Sequence, residues 1–153
     1  MNVEASIPGY EIREGVDAVD FERTTALLAT TYWSPGISRD RVERAARGSA
    51  LVLSVHHRVD GQVGYARLVG DKTTFGWIAD VFVKEGHRGK GIARAMVRYF
   101  LSHPEHQTLR RFILATRGAQ PVYAGIGFVQ LPHAERWMAF MPGEHRVDDA
   151  VAR

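Results

Sequence analysis

Cysteine is absent from this chain of 153 residues, and the chain contains no long hydrophobic segment. Without cysteine, the protein can form no disulfide bond, thiolate metal site or cysteine nucleophile. No apolar run approaches the roughly 20 residues that a membrane-spanning helix requires. The N-terminal residues also lack the apolar core of a secretory signal peptide. We therefore expect a cytoplasmic protein with no membrane partner.

A strong excess of charge of one sign is also lacking. The 20 lysine and arginine residues and 17 acidic residues give a formal net charge of +3, and several arginines lie beside acids, as in Arg39-Asp40-Arg41. A nucleic-acid-binding domain usually gathers its basic residues on one face. The small excess suits a polyanionic small molecule better, so we expect no nucleic-acid partner and keep a nucleic-acid-binding domain only as a weak alternative.

Hydrophobic patterning predicts helices and strands in mixed order. Asp20 and Ser38 are expected to cap two helices, the second ending near Arg47. Asp60-Gly61 predicts a hairpin between strands at 50–58 and 62–69. The other expected elements are strands at 10–13, 73–83, 112–115, 128–131 and 137–140, and helices at about 92–102 and from Pro121. This order predicts one α/β or α+β domain over residues 1–142, followed by a polar tail over residues 143–153.

Two glycines and four basic residues stand together in the stretch His87-Arg88-Gly89-Lys90-Gly91-Ile92-Ala93-Arg94. It is not a mononucleotide loop, because Gly91 replaces the Ser or Thr that should follow Gly89-Lys90. It is not a dinucleotide fingerprint, because Arg94 replaces the third glycine. A turn into a helix N-terminus would present free backbone N–H groups to an anion, and glycines would allow its close approach. The stretch therefore predicts a pyrophosphate-binding loop made mostly of main chain.

The loop resembles the acetyl-coenzyme A motif of the GNAT superfamily of N-acetyltransferases, Gln/Arg-x-x-Gly-x-Gly/Ala, which stands here as Arg88-x-x-Gly91-x-Ala93. About thirty residues later, Tyr123-Ala124-Gly125-Ile126-Gly127-Phe128 is similar to the family's Tyr-x-x-x-Gly-Phe. The resemblance covers residues 8–141, nearly the whole predicted domain. Either segment alone is a weak signal, but their order and the strand and helix between them make the pair specific.

A closer resemblance is to an uncharacterised bacterial subgroup of this superfamily. Its hallmarks stand here as Tyr32-Trp33, Gln62-Val63-Gly64-Tyr65-Ala66-Arg67, Asp80-Val81-Phe82-Val83, Leu114-Ala115-Thr116-Arg117 and Glu135-Arg136-Trp137-Met138. One departure concerns the run before the tyrosine segment. The subgroup has Thr-Arg-Asp-Ala-His, whereas this chain has Thr116-Arg117-Gly118-Ala119-Gln120. If the missing acid and histidine serve the acceptor or a proton transfer, the substrate or the rate differs here.

The resemblance implies a GNAT fold, with a mixed, mostly antiparallel central sheet of about six or seven strands and about four flanking helices. The sheet is expected to splay between its two central parallel strands. The implied activity is direct transfer of an acetyl group from acetyl-coenzyme A, as cosubstrate, to a primary amine in a ternary complex. The acceptor would be a small-molecule amine or a peptide. Family members are often dimers, so a homodimer is an option that the sequence leaves open.

Site residues also follow from the resemblance. Val81, Phe82 and Val83 would pair with the pantetheine arm through their backbone, and residues 88–94 would hold the pyrophosphate. Tyr123 is the candidate general acid toward the coenzyme A sulfur. The family often uses a strand glutamate as general base, but the matching position is Ala79, so the neighbouring Asp80 is the candidate that remains. A structural role is open for both Tyr123 and Asp80.

Three aromatic residues are candidates for the acceptor side. Tyr32 and Trp33 lie in the connection between the first two helices, which often walls the acceptor pocket in the family, and Trp77 lies on the long strand. A hydrophobic plug is the alternative for these residues. No metal site is expected, because neither His56 nor His57 has an acid or a third histidine at a matching spacing.

A second function stays open beside acetyl transfer. The missing acid and histidine before Tyr123, and the lack of a clear base, also fit a non-catalytic or regulatory acyl-coenzyme A-binding module on the same fold. Fold alone does not decide between them.

Overall fold

The hydrophobic runs of the first half of the chain form a five-stranded sheet in the computed structural model, which describes residues 7–143. The strands are β1 (Tyr10–Glu14), β2 (Leu51–His57), β3 (Gly61–Gly70), β4 (Phe75–Val83) and β5 (Arg111–Ile113). They lie in sequence order, with the first three neighbouring pairs antiparallel and β4 parallel to β5. The expected mixed and mostly antiparallel sheet is confirmed.

Four α-helices accompany the sheet in the described part of the chain. They are α1 (Phe21–Leu28), α2 (Arg39–Arg47), α3 (Ile92–Ser102) and α4 (Gln120–Ala124). The Asp20 carboxylate accepts the Arg23 N–H at 3.0 Å, and the Ser38 hydroxyl accepts the Arg41 N–H at 3.3 Å. Both predicted N-caps are therefore confirmed. Short 3₁₀ helices occupy Val16–Ala18, Pro104–His106 and Ala134–Arg136.

Different helices cover the two faces of the sheet. Tyr65 of β3 joins a core with Phe21 and Leu28 of α1 and with Val42 of α2. Its neighbour Gly64 points the other way, because a Cβ atom there would lie 3.5 Å from Ile92 of α3. Helices α1 and α2 therefore cover one face, and α3 covers the other.

The described residues divide into two compact units, one ending at Leu114 and the other beginning at Ala115. The first unit contains the whole sheet. The second contains α4 and the 3₁₀ helix Ala134–Arg136. Residues 144–153 of the predicted polar tail lie outside the described residues.

The predicted count of six or seven strands is not confirmed, because the described residues contain five. Residues 128–131 and 137–140, expected as strands, do not form them. Pro132 cannot donate a ladder hydrogen bond, and His133 adopts a left-handed backbone conformation with φ +55°. The chain therefore turns into a 3₁₀ helix between the two runs. Short apolar runs of this kind carry too little periodicity to identify a strand.

Two irregularities of β4 shape its C-terminal half. The pairing of β4 with β5 covers only Phe75–Trp77. The register between β3 and β4 then shifts, so that Asp80 and Val81 together oppose Ala66. Asp80 has φ +55°, the left-handed conformation that relieves such a β-bulge. Early loss of the parallel partner fits the expected splay of the sheet at this point.

No helix within residues 7–143 is both long enough and apolar enough to cross a membrane.

Candidate functional site

The loop between β4 and α3 has a backbone that only glycine adopts readily. Gly86, Gly89 and Gly91 have φ values of +93°, +78° and +83°. A Cβ atom on any of the three would meet no other atom within 4 Å. Backbone conformation rather than crowding therefore requires glycine here. Two of the three, Gly89 and Gly91, belong to the stretch that the sequence singled out.

Helix α3 begins directly at this loop. Gly91 is its N-cap residue, and the Gly91 carbonyl accepts the Ala95 N–H at 2.9 Å. No side chain of residues 7–143 caps the helix, and its first turn contains no acidic residue. The N–H groups of Ile92, Ala93 and Arg94 have no partner inside the helix. This helix end combines free donors with the positive end of the helix dipole, which suits a phosphate group.

The Arg88 side chain braces the loop. Its Nε atom donates to the Val83 carbonyl at 2.8 Å, and its Cζ atom lies 5.5 Å from the centroid of the Phe82 ring. Arg88 therefore ties the loop to the last two residues of β4. The basic residue at the start of the motif fixes the loop's geometry through these contacts.

Residues 81–83 of β4, which are predicted to bind the pantetheine arm, do not pair with β5. Residues 81–83 follow the end of the β4–β5 pairing at Trp77, and within the first unit they pair only with β3. Val83 is buried, whereas Val81 and Phe82 are partly buried. Within the first unit no strand lies beside this edge, and the Val83 carbonyl, which points away from β3, accepts from Arg88.

Both carboxylate oxygens of Asp80 accept hydrogen bonds on the face of the sheet that α1 and α2 cover. Its Oδ2 atom accepts from Nε of Arg67 at 2.6 Å, and its Oδ1 atom accepts from Nε1 of Trp33 at 2.9 Å. The side chains of Arg67 and Asp80 are only 16% and 11% exposed. Arg67 also donates to the Ser49 hydroxyl at 3.4 Å. The candidate base is thus one end of a shielded ion pair.

Tyr65 adds a buried hydroxyl beside this ion pair. The Tyr65 side chain is 2% exposed, and its hydroxyl has no hydrogen-bond partner among residues 7–143. Burial raises the pKa of this phenol, and the negative charge of Asp80 raises it further. Tyr65 is therefore a neutral hydroxyl donor at ordinary pH.

The three candidate acceptor-side aromatics lie on the same side of the sheet. The rings of Tyr32 and Trp33 meet edge to face at 4.9 Å. Trp77 pairs with Val69, and Ala79 pairs with Arg67. Residues two apart on a strand share a face, so Trp77 lies on the face of Arg67. Tyr32 and Trp77 are 40% and 43% exposed, which leaves both rings accessible.

Tyr123 lies in the second unit, near the end of α4. Its carbonyl accepts the N–H groups of Ile126 and Phe128 at 3.0 and 3.1 Å, and its ring lies 6.0 Å from the Phe128 ring. Gly127 has φ +110°. In the Tyr-x-x-x-Gly-Phe segment, α4 therefore ends in a hydrogen-bonded turn, and the rings of Tyr123 and Phe128 pack together.

Two groupings could not be predicted from the sequence. Arg67 is the partner of Asp80, and the only sequence signal is a lone charge inside an apolar strand. His57, Asp60 and His87 place their ligand atoms within 4.8 Å of one another. The spacing of His87 from the other two gives no sign of this, because the hairpin and the loop meet only in the folded chain.

The described residues form an α+β fold in which a loop of positive-φ glycines leads from β4 to the N-terminus of α3. The sequence profile described as the acetyltransferase (GNAT) domain matches residues 47–130. The chain belongs to the GNAT family of acetyltransferases, as the motifs at 88–93 and 123–128 predicted.

Solved structures agree with this assignment. A protein from Xanthomonas campestris pv. campestris assigned to the GNAT family is 33% identical, with a TM-score of 0.81 over 92% of this chain and 99% of that chain. A GNAT family acetyltransferase from Streptococcus pneumoniae is 22% identical, with a TM-score of 0.65 over 86% and 95% of the two chains. An acetyltransferase from Trypanosoma brucei is also 22% identical, with a TM-score of 0.67 over 86% and 98%. The last two show the fold alone.

Comparison with curated proteins gave no significant match. Family membership supports acetyl transfer in general.

Proposed function

We propose that this protein transfers the acetyl group of acetyl-coenzyme A to a primary amine by direct attack in a ternary complex. The observation that carries the proposal is the loop of left-handed glycines that ends at the uncapped N-terminus of α3. A pyrophosphate needs several donors at close range, and this turn offers backbone N–H groups without side chains in front of them.

The coenzyme would lie along the splayed part of β4. The backbone of residues 81–83 would pair with the pantetheine arm, and residues 88–94 would hold the pyrophosphate. Arg88 would act indirectly, since its Nε atom is bound to the Val83 carbonyl and so couples the two parts of the binding surface. Lys90 and Arg94 would add positive charge around a pyrophosphate site formed by backbone N–H groups.

The chemistry requires a neutral amine, a donor for the developing oxyanion and a proton for the leaving sulfur. The amine nitrogen forms a bond to the thioester carbonyl carbon, and the carbon–sulfur bond then breaks. A backbone N–H of β4 would stabilise the oxyanion. The Tyr123 hydroxyl would donate a proton to the coenzyme A thiolate, and the proton lost by the amine would pass to a base.

For Asp80, the contacts favour a supporting role over that of the base. Both of its carboxylate oxygens already accept hydrogen bonds, and its side chain is almost buried. A general base has to reach the amine directly or through one water. Asp80 instead holds Trp33 and the β-bulge in place. Asp80 as general base stays a prediction, which the pH–rate profile of Asp80→Asn tests.

The acceptor would approach the face that Tyr32, Trp33 and Trp77 share. Two of these rings are accessible, so an amine with an apolar or aromatic body fits this surface better than a highly charged one. We propose a small-molecule amine, with a peptide N-terminus as the alternative, and a homodimer as the oligomeric state.

Thiol release from acetyl-coenzyme A across an amine panel tests the proposal. The panel should pair aromatic and aliphatic amines of equal size with polar amines, and coenzyme A binding should be measured in parallel by calorimetry. Turnover with at least one amine supports transfer. Binding with no turnover across the panel would instead favour a non-catalytic coenzyme-binding module.

A further inference from the structure

His87 lies in the loop between β4 and α3 and makes two side-chain hydrogen bonds. The residue is 8% exposed. Its Nδ1 atom lies 2.7 Å from the Tyr10 hydroxyl, and its Nε2 atom lies 2.9 Å from Oδ2 of Asp60. The ring is thereby fixed with Nε2 directed at a carboxylate of the β2–β3 turn.

A second histidine joins this pair from the end of β2. The His57 ring lies 5.0 Å from the His87 ring, and Nδ1 of His57 lies 3.6 Å from Oδ2 of Asp60. Within residues 7–143, this is the one group of three or more histidine and acidic side chains with ligand atoms so close together.

We propose that His57, Asp60 and His87 form a binding site for a divalent transition metal ion such as Zn²⁺. Two imidazoles and one carboxylate are ligands that zinc prefers, whereas calcium and magnesium take oxygen ligands. With metal–ligand bonds of about 2.0–2.1 Å, tetrahedral ligand atoms stand about 3.3 Å apart. Two of the three separations between ligand atoms, 2.9 and 3.6 Å, lie on either side of that value, and all three lie within 4.8 Å.

Tyr10 supplies the outer partner that such a site needs. A metal-binding histidine usually donates its other ring N–H to an acceptor, which fixes the tautomer and the ring orientation. The Tyr10 oxygen, 2.7 Å from Nδ1 of His87, fills this role and leaves the Nε2 lone pair for the ion. The Asp60 side chain is 47% exposed, so the fourth coordination position opens to water.

The same geometry limits the affinity. Nδ1 of His57 accepts the Val59 and Asp60 N–H groups at 3.3 and 3.2 Å, and an ion bound at Nδ1 would compete with both. The site has only three protein ligands, and one of them is contested in this way. We therefore expect it to bind Zn²⁺ more weakly than structural zinc sites with four protein ligands.

The chain contains a matched control. Nε2 of His103 lies 2.8 Å from Glu14, so this pair has the same chemistry as His87 and Asp60 but belongs to no group of three among the described residues. His103→Ala therefore removes an equivalent histidine and carboxylate contact without touching the proposed site.

The test is calorimetric titration of the tag-free full-length protein with ZnCl₂, and the visible spectrum of its Co²⁺ complex. The wild type is expected to bind one Zn²⁺ per chain and to give the intense absorption of tetrahedral Co²⁺. Asp60→Asn and His57→Ala are each expected to weaken binding at least about tenfold, the lower bound for changes around a metal site. His103→Ala is expected to bind like the wild type.

Absence of stoichiometric Zn²⁺ binding would overturn the proposal, as would equal binding by wild type and Asp60→Asn. Loss of binding in His103→Ala would place the ion elsewhere and overturn it too. His87→Ala removes a buried ring, so its fold is checked by circular dichroism. If it fails to fold, the more exposed Asp60 and His57 decide the question. No acetyl-coenzyme A is present, so the outcome is independent of the proposed transferase activity.

Discussion

The indole nitrogen of Trp33 donates to Oδ1 of Asp80 at 2.9 Å, which joins the connection between α1 and α2 to the β-bulge of β4. Arg67 holds the other oxygen of the same carboxylate. A residue of the predicted acceptor wall and the candidate base therefore share one hydrogen-bonded network with a strand arginine.

Asp80→Asn is expected to act mainly through stability and positioning. The substitution leaves the Arg67 guanidinium without its carboxylate in a shielded environment, so the free energy of unfolding should fall by about 3 kcal/mol. In the pH profile of kcat/KM, the acidic limb should keep its position. Urea unfolding and the pH–rate profile check the two parts.

The double variant Arg67→Met with Asp80→Asn is the control. Removing both charges should recover much of the lost stability, because a paired replacement leaves no isolated charge. A displaced or missing acidic limb in Asp80→Asn would show that Asp80, the candidate from the sequence, is the base.

Gly91→Ala is expected to raise the KM for acetyl-coenzyme A by about tenfold, the loss of roughly one hydrogen bond to a charged group. Gly86→Ala is the matched control, because Gly86 has a similar positive φ and equally open surroundings but precedes the predicted phosphate-binding residues. It should cost about 1 kcal/mol of stability with little change in KM. Steady-state kinetics and thermal melting measure both.

Lys90→Ala tests whether the charge of a side chain or the backbone N–H groups of the same loop hold the pyrophosphate. Its effect on the KM for acetyl-coenzyme A should be far smaller than that of Gly91→Val. Nζ of Lys90 lies 5.8 Å from the centroid of the Tyr10 ring, which gives this side chain a packing partner of its own. Equal effects of the two substitutions would mean that side-chain charge holds the pyrophosphate.

Tyr123→Phe is expected to lower kcat about 100-fold, the lower range for loss of a general acid, while the affinity for coenzyme A stays nearly constant. The ring packing against Phe128 is kept in this variant. Tyr99→Phe is the control for removal of a tyrosine hydroxyl outside the proposed chemistry. Unchanged turnover in Tyr123→Phe would remove the hydroxyl from the mechanism.

His106 makes stability depend on pH. Burial lowers the pKa of His106 below its ordinary value of 6.5. Nδ1 lies 2.7 Å from the Phe100 carbonyl and so carries the proton, and Nε2 is buried without a partner among residues 7–143. As the pH falls below about 6.5, the unfolded chain binds a proton before the folded chain does, so stability falls.

Urea unfolding at pH 7.5 and pH 5.0 measures this contribution. His106→Leu should be less stable than the wild type at pH 7.5, and the difference should shrink at pH 5.0. His56, whose pKa burial also lowers, contributes equally to both proteins and cancels in the comparison. His133→Ala is the control for removal of a histidine at an exposed position. A constant difference between wild type and His106→Leu would contradict the assignment.

The elements that depend on local signals were predicted well from the sequence. Asp20 and Ser38 begin α1 and α2, Asp60-Gly61 forms the hairpin, and α3 spans the expected residues. Each of these depends on a cap, a turn dipeptide or a helical period within a few residues. The glycine loop was found in the same way, because its backbone is decided by its own glycines.

Contacts between distant segments could not be predicted in this way. The Arg67–Asp80 pair requires a one-residue register shift between β3 and β4, and a shift of that kind moves side chains from one face to the other. His87 reaches Asp60 only because the loop folds back beside the hairpin turn. The runs at 128–131 and 137–140 show the converse error, since apolar residues alone did not make strands.

The uncapped start of α3 has a consequence for how coenzyme affinity responds to solution conditions. Backbone amide groups carry no ionisable proton at physiological pH, so a phosphate held by them experiences the same donors from mildly acidic to mildly alkaline solution. Coenzyme binding would then remain steady over this pH range, while turnover follows the protonation of the acceptor amine.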